Sequence, residues 1–263
     1  MAHIITIGNE KGGAGKSTLS MHLAAALFHS NKRVGVMDLD IRQRTFERFF
    51  QNRAETAKLY DIALAKPQIV SLPENISDFA PDRTFHDALQ TLLESNDYIL
   101  LDCPGALTKL SELAHAAANT LVTPLNDSFI DFDLLGRVDS EGEKVLRPSL
   151  YAEMVWDARK TRQLNSLEPL DWVVVRNRLA RQNMHNKRKV SAALENLSKR
   201  IGFRLVPGLS DRVIYKELFT KGLTILDDSA HTGTGFSLSN IAAKQEIRDL
   251  MTGLNLPEFK LGF

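Results

Sequence analysis

A glycine-rich segment near the start of the chain carries lysine and serine in an order that suits phosphate binding. It runs from Gly8 to Thr18, with the sequence Gly-Asn-Glu-Lys-Gly-Gly-Ala-Gly-Lys-Ser-Thr, and an apolar helical segment follows it. Glycines let backbone N–H groups converge on phosphate oxygens, and a helix start directs the positive end of its dipole at the same anion. Lys16 is expected to reach the β- and γ-phosphates, and the Ser17 hydroxyl is expected to hold Mg²⁺.

The first half of this loop departs from the usual phosphate-loop pattern. A strict G-x-x-x-x-G-K-[ST] motif would have glycine where Glu10 stands, and a second lysine, Lys11, comes directly after it. The strand–loop–helix context is retained, so the segment still predicts a nucleotide site. The predicted nucleotide contacts that follow from this context are Gly12, Gly13, Ala14, Gly15, Lys16, Ser17 and Thr18.

Carboxylates come at the ends of two further β-type runs. Asp38 and Asp40 follow the second run of the chain, and Asp102 ends a later one. Ligands bind at the carboxyl ends of strands in open α/β sheets, so these three side chains are expected beside the loop. Their placement makes them candidates for the metal and water chemistry of a nucleotide site.

Short β-type runs alternate with longer amphipathic segments over the whole chain. Several runs are continuously apolar, as in residues 98–101 and 172–175, which suits strands that helices cover on both faces. We predict one doubly wound α/β domain over residues 1–263, with a mostly parallel sheet flanked by helices on both faces. The predicted strands are His3–Gly8, Arg33–Asp38, Asp97–Asp102, Thr120–Pro124, Asp171–Arg176, Phe203–Pro207 and Thr224–Leu226, with one more over Gln68–Ser71 in a proline-containing loop.

The overall composition is that of a folded soluble protein. The 263 residues carry a net charge of +1, with 43% hydrophobic and 25% charged residues. These values exclude a disordered acidic protein, a collagen-like chain and a histone-like basic chain. The single cysteine, Cys103, allows no intrachain disulfide and no CxxC metal site, which favours the cytoplasm. No apolar run is long enough to span a bilayer, and we expect no export signal.

The loop with its two lysines resembles the deviant Walker A box of the ParA/MinD superfamily of P-loop ATPases. The resemblance implies a slow, Mg²⁺-dependent ATPase whose cofactors are ATP and Mg²⁺. In this superfamily the first lysine, here Lys11, reaches the nucleotide of a partner subunit. Two facing nucleotides concentrate negative charge, and one lysine from each side offsets it. The resemblance therefore implies an ATP-sandwich homodimer.

The same resemblance implies a role for each carboxylate. Asp102 matches the Walker B aspartate, which holds Mg²⁺ together with Ser17. Asp38 and Asp40 match the aspartates of the first switch segment. Asp38 is expected to support Mg²⁺ and its waters, and Asp40 is expected to orient or polarise the attacking water. The implied catalytic residues are Lys11, Lys16 and Asp40, and the implied metal residues are Ser17, Asp38 and Asp102.

Two later strand ends resemble the adenine pocket of the superfamily. Asn177 follows the strand that starts at Asp171, where the superfamily uses an Asn amide to read the base edge. Pro207 ends the next strand and resembles the opposite wall of the pocket. The Asn/Thr-Lys-x-Asp signature of GTP readers does not follow a late strand, so ATP is favoured over GTP.

Basic residues concentrate in the segment 176–204. The segment has nine basic residues and one acidic residue, which gives +8 against −7 for the rest of the chain. Val190, Leu194, Leu197 and Ile201 repeat at helical spacing, so a helix would bury that stripe and present its cations outward. A solvated basic helix or a site for DNA backbone phosphates both fit this pattern. The candidate DNA contacts are Arg181, Lys187, Arg188, Lys189, Lys199 and Arg200.

Several further segments resemble the MipZ family within this superfamily, namely residues 9–18, 38–45, 126–133, 172–178 and 211–219. This resemblance implies an ATPase that positions the bacterial division site. Its ATP dimer would bind nucleoid DNA non-specifically, be recruited through ParB and inhibit FtsZ assembly away from mid-cell. A cytoplasmic, nucleoid-associated protein enriched near the poles is implied. Iron–sulfur members of the superfamily are excluded, because they need paired cysteines.

The last amphipathic segment, residues 237–254, bears on membrane binding. MinD-type proteins end in a short basic amphipathic helix that inserts into membrane. This segment instead has mixed charges, and Pro257 interrupts the tail. We expect it to dock on the sheet and expect no membrane insertion.

Three other functions fit parts of the pattern. A ParA-type ATPase for chromosome or plasmid segregation would use the same chemistry with cargo movement as its output. A small-molecule kinase or synthetase on the P-loop fold, such as a relative of dethiobiotin synthetase, would show ADP release that depends on an acceptor. A non-catalytic DNA-binding module is disfavoured by the intact set of Asp38, Asp40 and Asp102.

Overall fold

Seven parallel strands among the described residues form the central sheet. The computed structural model describes residues 2–76, 80–126, 133–138, 145–177, 184–227 and 237–263. The strands are β1 (His3–Ile7), β2 (Val34–Asp38), β3 (Gln68–Ile69), β4 (Tyr98–Asp102), β5 (Thr120–Asn126), β6 (Gly136–Val138), β7 (Val145–Pro148), β8 (Asp171–Asn177) and β9 (Arg204–Pro207). Their order in the sheet is β3-β2-β4-β1-β5-β8-β9, and β6 and β7 form a separate antiparallel hairpin.

Both faces of this sheet carry buried apolar side chains. Ile5 and Ile7 of β1 belong to the core on one face, whereas Ile4 packs with Met37 and Ile99 in a core on the other. Successive side chains of a strand point to opposite faces, so a strand buried on both sides needs an unbroken apolar run. This explains the continuous runs of Val, Ile and Leu in the sequence.

Helices cover both faces of the sheet. The described helices are α1 (Lys16–His29), α2 (Thr45–Tyr60), α3 (Pro81–Leu93), α4 (Lys109–Ala117), α5 (Leu150–Leu164), α6 (Met184–Ile201), α7 (Val213–Phe219) and α8 (Leu238–Leu254). Buried residues of α1, α2, α7 and α8 share one core, whereas α3 to α6 contribute to two cores on the opposite face. The predicted doubly wound α/β architecture is confirmed.

The central position of β1 determines where ligands can bind. β1 lies between β4 and β5, and the loop after it meets the ends of both neighbours. In register, Asp102 lies opposite Ile7 on one side and opposite Asp38 on the other. The phosphate loop and the two aspartates therefore share one edge of the sheet.

Two details of the sequence prediction differ from the structure. The strand predicted over Thr224–Leu226 is wrong, because these residues form a turn that is closed by Asp227, whose carboxylate accepts hydrogen bonds from the Thr224 N–H and hydroxyl at 2.7 and 3.0 Å. The β6–β7 hairpin was not predicted. The remaining strands occur as predicted to within one or two residues, including the short edge strand β3.

The helix α8 docks on the sheet, as predicted. Ile247, Leu250, Met251 and Leu254 are buried in the core that also contains α1 and β9. Ile241, near the start of the helix, is 55% exposed. Within the described ranges, no helix has the length and apolar character needed to cross a membrane.

Candidate active site

The phosphate loop joins β1 to α1 with left-handed backbone at two glycines. Gly13 and Gly15 have φ angles of 76° and 88°, a backbone conformation that residues with a Cβ rarely adopt. Gly15 is the N-cap of α1, and no side chain caps this helix start. The first N–H groups of α1 therefore point out of the helix end without a side-chain acceptor, as an anion site requires.

Lys16 is folded into the loop. Its side chain is 8% exposed, and its Nζ donates a hydrogen bond to the Lys11 carbonyl at 2.9 Å. Burial lowers the pKa of Lys16, and the nearby charges of Asp102 and Asp40 act in the opposite direction. The ammonium thus lies between the loop backbone and the aspartates, where it can meet a phosphate.

Asn9 fixes the start of the loop, a role that sequence reasoning missed. Its buried amide nitrogen donates to the Pro124 carbonyl at 2.6 Å, and its Oδ1 accepts the Lys11 N–H at 2.7 Å. Asn9 therefore ties the backbone of Lys11 to the end of β5. The Lys11 residue itself is half-buried at the loop entrance.

Asp102 is buried directly behind the loop. It is 1% exposed, and its Oδ1 accepts a hydrogen bond from the Ser20 hydroxyl of α1 at 2.9 Å. Burial raises the pKa of Asp102, and the charge of Asp38 raises it further, against the effects of Ser17, Ser20 and Lys16. Ser20 is a second contact missed from the sequence, although it lies one helical turn beyond Lys16.

Asp38 accepts hydrogen bonds from backbone on both of its oxygens. Oδ1 accepts the Asp40 N–H at 3.0 Å, and Oδ2 accepts the N–H groups of Phe46 and Glu47 at 2.8 and 3.2 Å. The side chain therefore anchors the start of α2 in addition to facing Asp102. Burial raises the pKa of Asp38, whereas these N–H groups lower it.

Asp40 lies beyond the end of β2, in a turn that leads to α2. Its Oδ1 accepts the Gln43 N–H at 3.2 Å, and its carbonyl accepts the Arg44 N–H at 2.8 Å. The side chain is half-buried. Asp40 is thus positioned by the turn rather than by the strand, and its carboxylate stays accessible at the mouth of the site.

The aspartate pair fits a magnesium ion held together with nucleotide phosphates. Among the described residues, no group of three or more His, Cys, Asp or Glu side chains is placed to hold a metal alone. Mg²⁺ commonly uses one or two carboxylates, water and substrate phosphates. Two adjacent buried carboxylates of raised pKa favour a cation between or beside them. Asp102, with Ser17 close by, has the donor chemistry for this ion.

Cys103 takes no part in this chemistry. It is buried beside Asp102, and burial raises the pKa of its thiol well above the ordinary value. The thiol therefore stays protonated, as expected for a small buried residue and not for a nucleophile.

Asn177 connects the phosphate loop to the predicted adenine side. It is 3% exposed, its Nδ2 donates to the Ala14 carbonyl at 2.9 Å, and its Oδ1 accepts the Leu209 N–H at 3.2 Å. These two contacts use one amide proton and one lone pair of the side chain. Pro207 is exposed at the end of β9, opposite Arg176 in register. The predicted contact of these residues with adenine stays a prediction.

An ionic cluster that sequence reasoning missed borders this side. Arg212 pairs with Glu246 of α8 at 2.6 Å, and Glu246 also accepts hydrogen bonds from the hydroxyl and N–H of Ser210. The turn after β9 and the helix α8 meet here although they are more than 30 residues apart, so no local motif could have indicated the cluster. It holds the turn after β9 against α8.

The basic segment forms helix α6, as its periodicity predicts. Leu194, Leu197 and Ile201 are buried, and Lys199 and Arg200 are exposed on its last turn. Arg181 and the side chains of Lys187, Arg188 and Lys189 lie outside the part that the structure describes. Arg204, beyond the helix, binds the Asp171 carboxylate at 2.6 and 2.9 Å.

Comparison with known proteins identifies a family that matches this chain. The family model for the MipZ ATPase matches residues 3–258. The chromosome partitioning protein ParA of Myxococcus xanthus is 28% identical over 179 residues, which are 58% of this chain and 63% of that protein. The chain thus matches less than two thirds of this relative's length.

Solved structures share the fold. The apo McdA of Cyanothece aligns over 97% of this chain and 100% of its own, with a TM-score of 0.67 and 17% identity. The MinD of Pyrococcus horikoshii, complexed with Mg-ADP, aligns over 98% and 100%, with a TM-score of 0.58 and 18% identity. At these identities the likeness shows the architecture alone.

Proposed function

Because the chain belongs to the MipZ family of ATPases, we propose that it is an ATP-dependent dimerisation switch that positions the cell-division site. In this proposal two subunits bind ATP and Mg²⁺ and form an ATP-sandwich homodimer. Slow hydrolysis returns them to monomers. Nucleotide state can control dimerisation because a ligand that binds one state better shifts the population toward it.

The arrangement of the two lysines carries this proposal. Lys16 is folded inward beside Asp102, whereas Lys11 stands half-buried at the loop entrance with its backbone fixed by Asn9. In this proposal Lys16 contacts the subunit's own phosphates. Lys11 is at the mouth of the site, from which it would reach a nucleotide across an interface.

Each site residue has a distinct proposed task in hydrolysis. The backbone of Gly12, Gly13, Ala14 and Gly15, with Thr18 at the helix start, cradles the phosphates, and Lys16 neutralises them. Ser17 and Asp102 would hold Mg²⁺ with support from Asp38. The ion, when bound, neutralises charge on the β- and γ-phosphate oxygens. Asp40 orients the attacking water from the mouth of the site, and Lys11 adds positive charge from the partner.

Replacing Asp40 separates hydrolysis from dimerisation. Asp40→Ala should bind ATP and dimerise, but hydrolyse it about 100-fold more slowly, because the water loses its orienting carboxylate. Phosphate release at saturating ATP and gel filtration with ATP measure the two properties. The matched control is Asp87→Ala, an exposed aspartate on α3. Normal turnover by Asp40→Ala would remove Asp40 from the mechanism.

The basic helix α6 supports non-specific DNA binding. Lys199 and Arg200 are both exposed on the last turn of this helix, whereas the stripe of Leu194, Leu197 and Ile201 is buried. Phosphate contacts carry no sequence information and depend strongly on salt. Dimerisation would present two such patches, which raises avidity without new contacts. DNA would then be held in the ATP state and released after hydrolysis.

Charge reversal tests this patch. The double variant Lys199→Glu/Arg200→Glu should lower DNA affinity with an ATP analogue by at least about tenfold and flatten the salt dependence, because phosphate contacts release counterions. The control Lys58→Glu/Lys66→Glu makes the same charge change at exposed lysines elsewhere and should retain the affinity. Fluorescence anisotropy with duplex DNA measures both. Equal affinities in all three proteins would place DNA binding elsewhere.

The proposed partners follow from family membership. We propose recruitment through ParB and inhibition of FtsZ assembly, with a nucleoid-associated protein enriched near the poles. The likeness to the ParA of Myxococcus xanthus favours one alternative, a chromosome-segregation ATPase. Co-sedimentation with FtsZ polymers separates the two: reduced polymer in the presence of the ATP dimer supports positioning, and unchanged polymer supports segregation.

A further inference from the structure

A buried tyrosine hydroxyl contacts the first residue of the phosphate loop from below. Tyr151, at the start of α5, is fully buried, and its Oη donates a hydrogen bond to the Gly8 carbonyl at 2.8 Å. Neither the loop motif nor the chemistry described above includes Tyr151. The contact joins residues 143 positions apart, so it depends on the tertiary fold.

Two other buried side chains surround this hydroxyl. Thr123 of β5 lies 2.8 Å from Tyr151 Oη, and the Trp172 Nε1 donates to the same Thr123 oxygen at 3.0 Å. Since the Tyr151 hydroxyl donates its proton to the Gly8 carbonyl, the Thr123 hydroxyl is the donor in the contact with Tyr151 Oη. Tyr151 Oη thus accepts from Thr123 and has its single proton to donate elsewhere.

That proton has two acceptors within reach. His115 of α4 places Nδ1 2.6 Å from the Ser111 carbonyl, which can only accept, so Nδ1 carries the ring proton. Nε2 of His115 is then an acceptor, and it lies 3.2 Å from Tyr151 Oη. Burial lowers the pKa of His115 to about 4, which keeps the ring neutral at pH 7. Gly8 and His115 thus compete for one proton, and Gly8 holds the shorter contact.

Gly8 is tightly packed against the side chains that surround this hydroxyl. A Cβ on this residue would lie 2.5 Å from two atoms of the His115 ring and 3.2 Å from Tyr151 Oη. The Gly8 N–H is meanwhile bound to the Val122 carbonyl at 3.0 Å. Both backbone groups of Gly8 are therefore fixed, three residues before Lys11.

We propose that Tyr151 is a positioning residue for the phosphate loop: its hydroxyl fixes the Gly8 carbonyl at the loop entrance, with His115 as the competing acceptor. This inference deepens the proposed function, because it assigns a residue that sets the geometry of the same nucleotide site. His115 lies on α4, and α4 follows the turn after Asp102. A displacement of α4 would therefore move the competing acceptor and change how firmly Tyr151 holds the loop.

Tyr98 provides a matched control for the loss of one hydroxyl. It is also buried, and its hydroxyl also donates to a backbone carbonyl, that of Pro257. Tyr98 is the first residue of β4 and lies at the amino-terminal end of this strand, whereas the phosphate loop lies at the carboxyl ends of the strands. Tyr98→Phe and Tyr151→Phe therefore remove the same type of bond at opposite ends of the sheet.

The test measures the affinity of each full-length protein for fluorescent ADP with Mg²⁺. Tyr151→Phe should weaken ADP binding by about threefold to tenfold, the factor for one lost hydrogen bond. In the absence of nucleotide, Tyr98→Phe should lower the melting temperature about as much as Tyr151→Phe does. Unlike Tyr151→Phe, it should leave the ADP affinity unchanged. Equal ADP affinities in wild type and Tyr151→Phe would overturn the proposal, as would equal weakening in both variants.

A second variant keeps the test decisive if Tyr151→Phe folds poorly. His115→Leu removes the competing acceptor and leaves the tyrosine proton to Gly8, so ADP affinity should equal or exceed that of wild type. A loss of ADP affinity in His115→Leu of about threefold or more, relative to wild type, would mean that ring packing, and not the hydroxyl, sets the affinity. ADP binding to the monomer requires no dimer, so a failure of the dimerisation switch would leave this result intact.

Discussion

Replacing Lys16 with alanine is expected to lower ATP hydrolysis by at least about 100-fold, the loss typical of removing one preorganised charge stabiliser. The Lys16 ammonium is buried between the loop and Asp102 and donates to the Lys11 carbonyl. Its removal takes away the loop's inward-facing positive charge and the bond that closes the loop. The two buried aspartates behind it would then oppose phosphate binding. Titration with fluorescent ADP, in which no hydrolysis takes place, should show a comparable loss of nucleotide affinity.

The control for this prediction lies in the same loop. Lys11→Ala removes a half-buried lysine from the loop entrance, so monomeric ADP binding should stay near that of wild type. Its defect should appear only in dimerisation and hydrolysis. If Lys16→Ala bound ADP as tightly as wild type, the assignment of Lys16 to the phosphates would be wrong.

The second large effect concerns stability. Asp227→Asn is expected to lower the free energy of unfolding by about 3–5 kcal/mol, because it leaves a buried guanidinium without its counter-ion. Arg53 of α2 is 4% exposed and contacts both oxygens of Asp227, at 3.1 and 2.8 Å. Arg53 also donates to the carbonyls of Ala65 and Gly222. This pair joins α2 to the turn after α7, and urea unfolding measures its loss.

The pH dependence of unfolding should identify the same pair. Burial would raise the pKa of Asp227, but the nearby His29, at 3.8 Å, and the hydrogen bonds from Arg53 outweigh it and hold the pKa well below its usual range. A carboxyl whose pKa is lowered on folding stabilises the protein fully above the unfolded pKa of about 3.9 and loses that contribution as pH falls further. Wild type should therefore lose stability below about pH 4 more steeply than Asp227→Asn does.

A surface pair provides the comparison for Asp227. Asp97 contacts Arg33 at 2.7 Å, but the arginine side chain is 69% exposed. Solvent screens such pairs, so Asp97→Asn should cost far less stability than Asp227→Asn. Equal losses in the two variants would show that burial of the Arg53–Asp227 pair contributes nothing.

Sequence patterns were sufficient for most of the fold because its determinants are local. Apolar runs such as that of β4 and the stripe of α6 follow from which faces are buried. The carboxyl ends of adjacent parallel strands brought Asp38 and Asp102 together, as predicted. The prediction of a strand at Thr224 was wrong because Ile225 and Leu226 are apolar and buried, as strand residues often are. Tertiary packing buries them in a turn, and this segment is not paired with any described strand.

The unpredicted parts of the site are contacts between distant segments. Asn9 binds β5, Ser20 binds Asp102, and Tyr151 binds Gly8. Ser20 could have been found from its helical spacing after Lys16, since residues four apart share a helix face. The other contacts depend on which elements the sheet order makes neighbours. Asn177 shows the same limit, because it joins the end of β8 to Ala14 of the phosphate loop and to Leu209 after β9.

Sedimentation velocity of the full chain with Mg²⁺ tests the dimerisation switch most directly. With a non-hydrolysable ATP analogue, the 29.4 kDa chain should sediment as a dimer, and with ADP as a monomer. Lys11→Ala, measured in parallel with the same analogue, should remain monomeric. A wild-type protein that stays monomeric in both nucleotide states, or a Lys11→Ala variant that dimerises as well as wild type, would contradict the account.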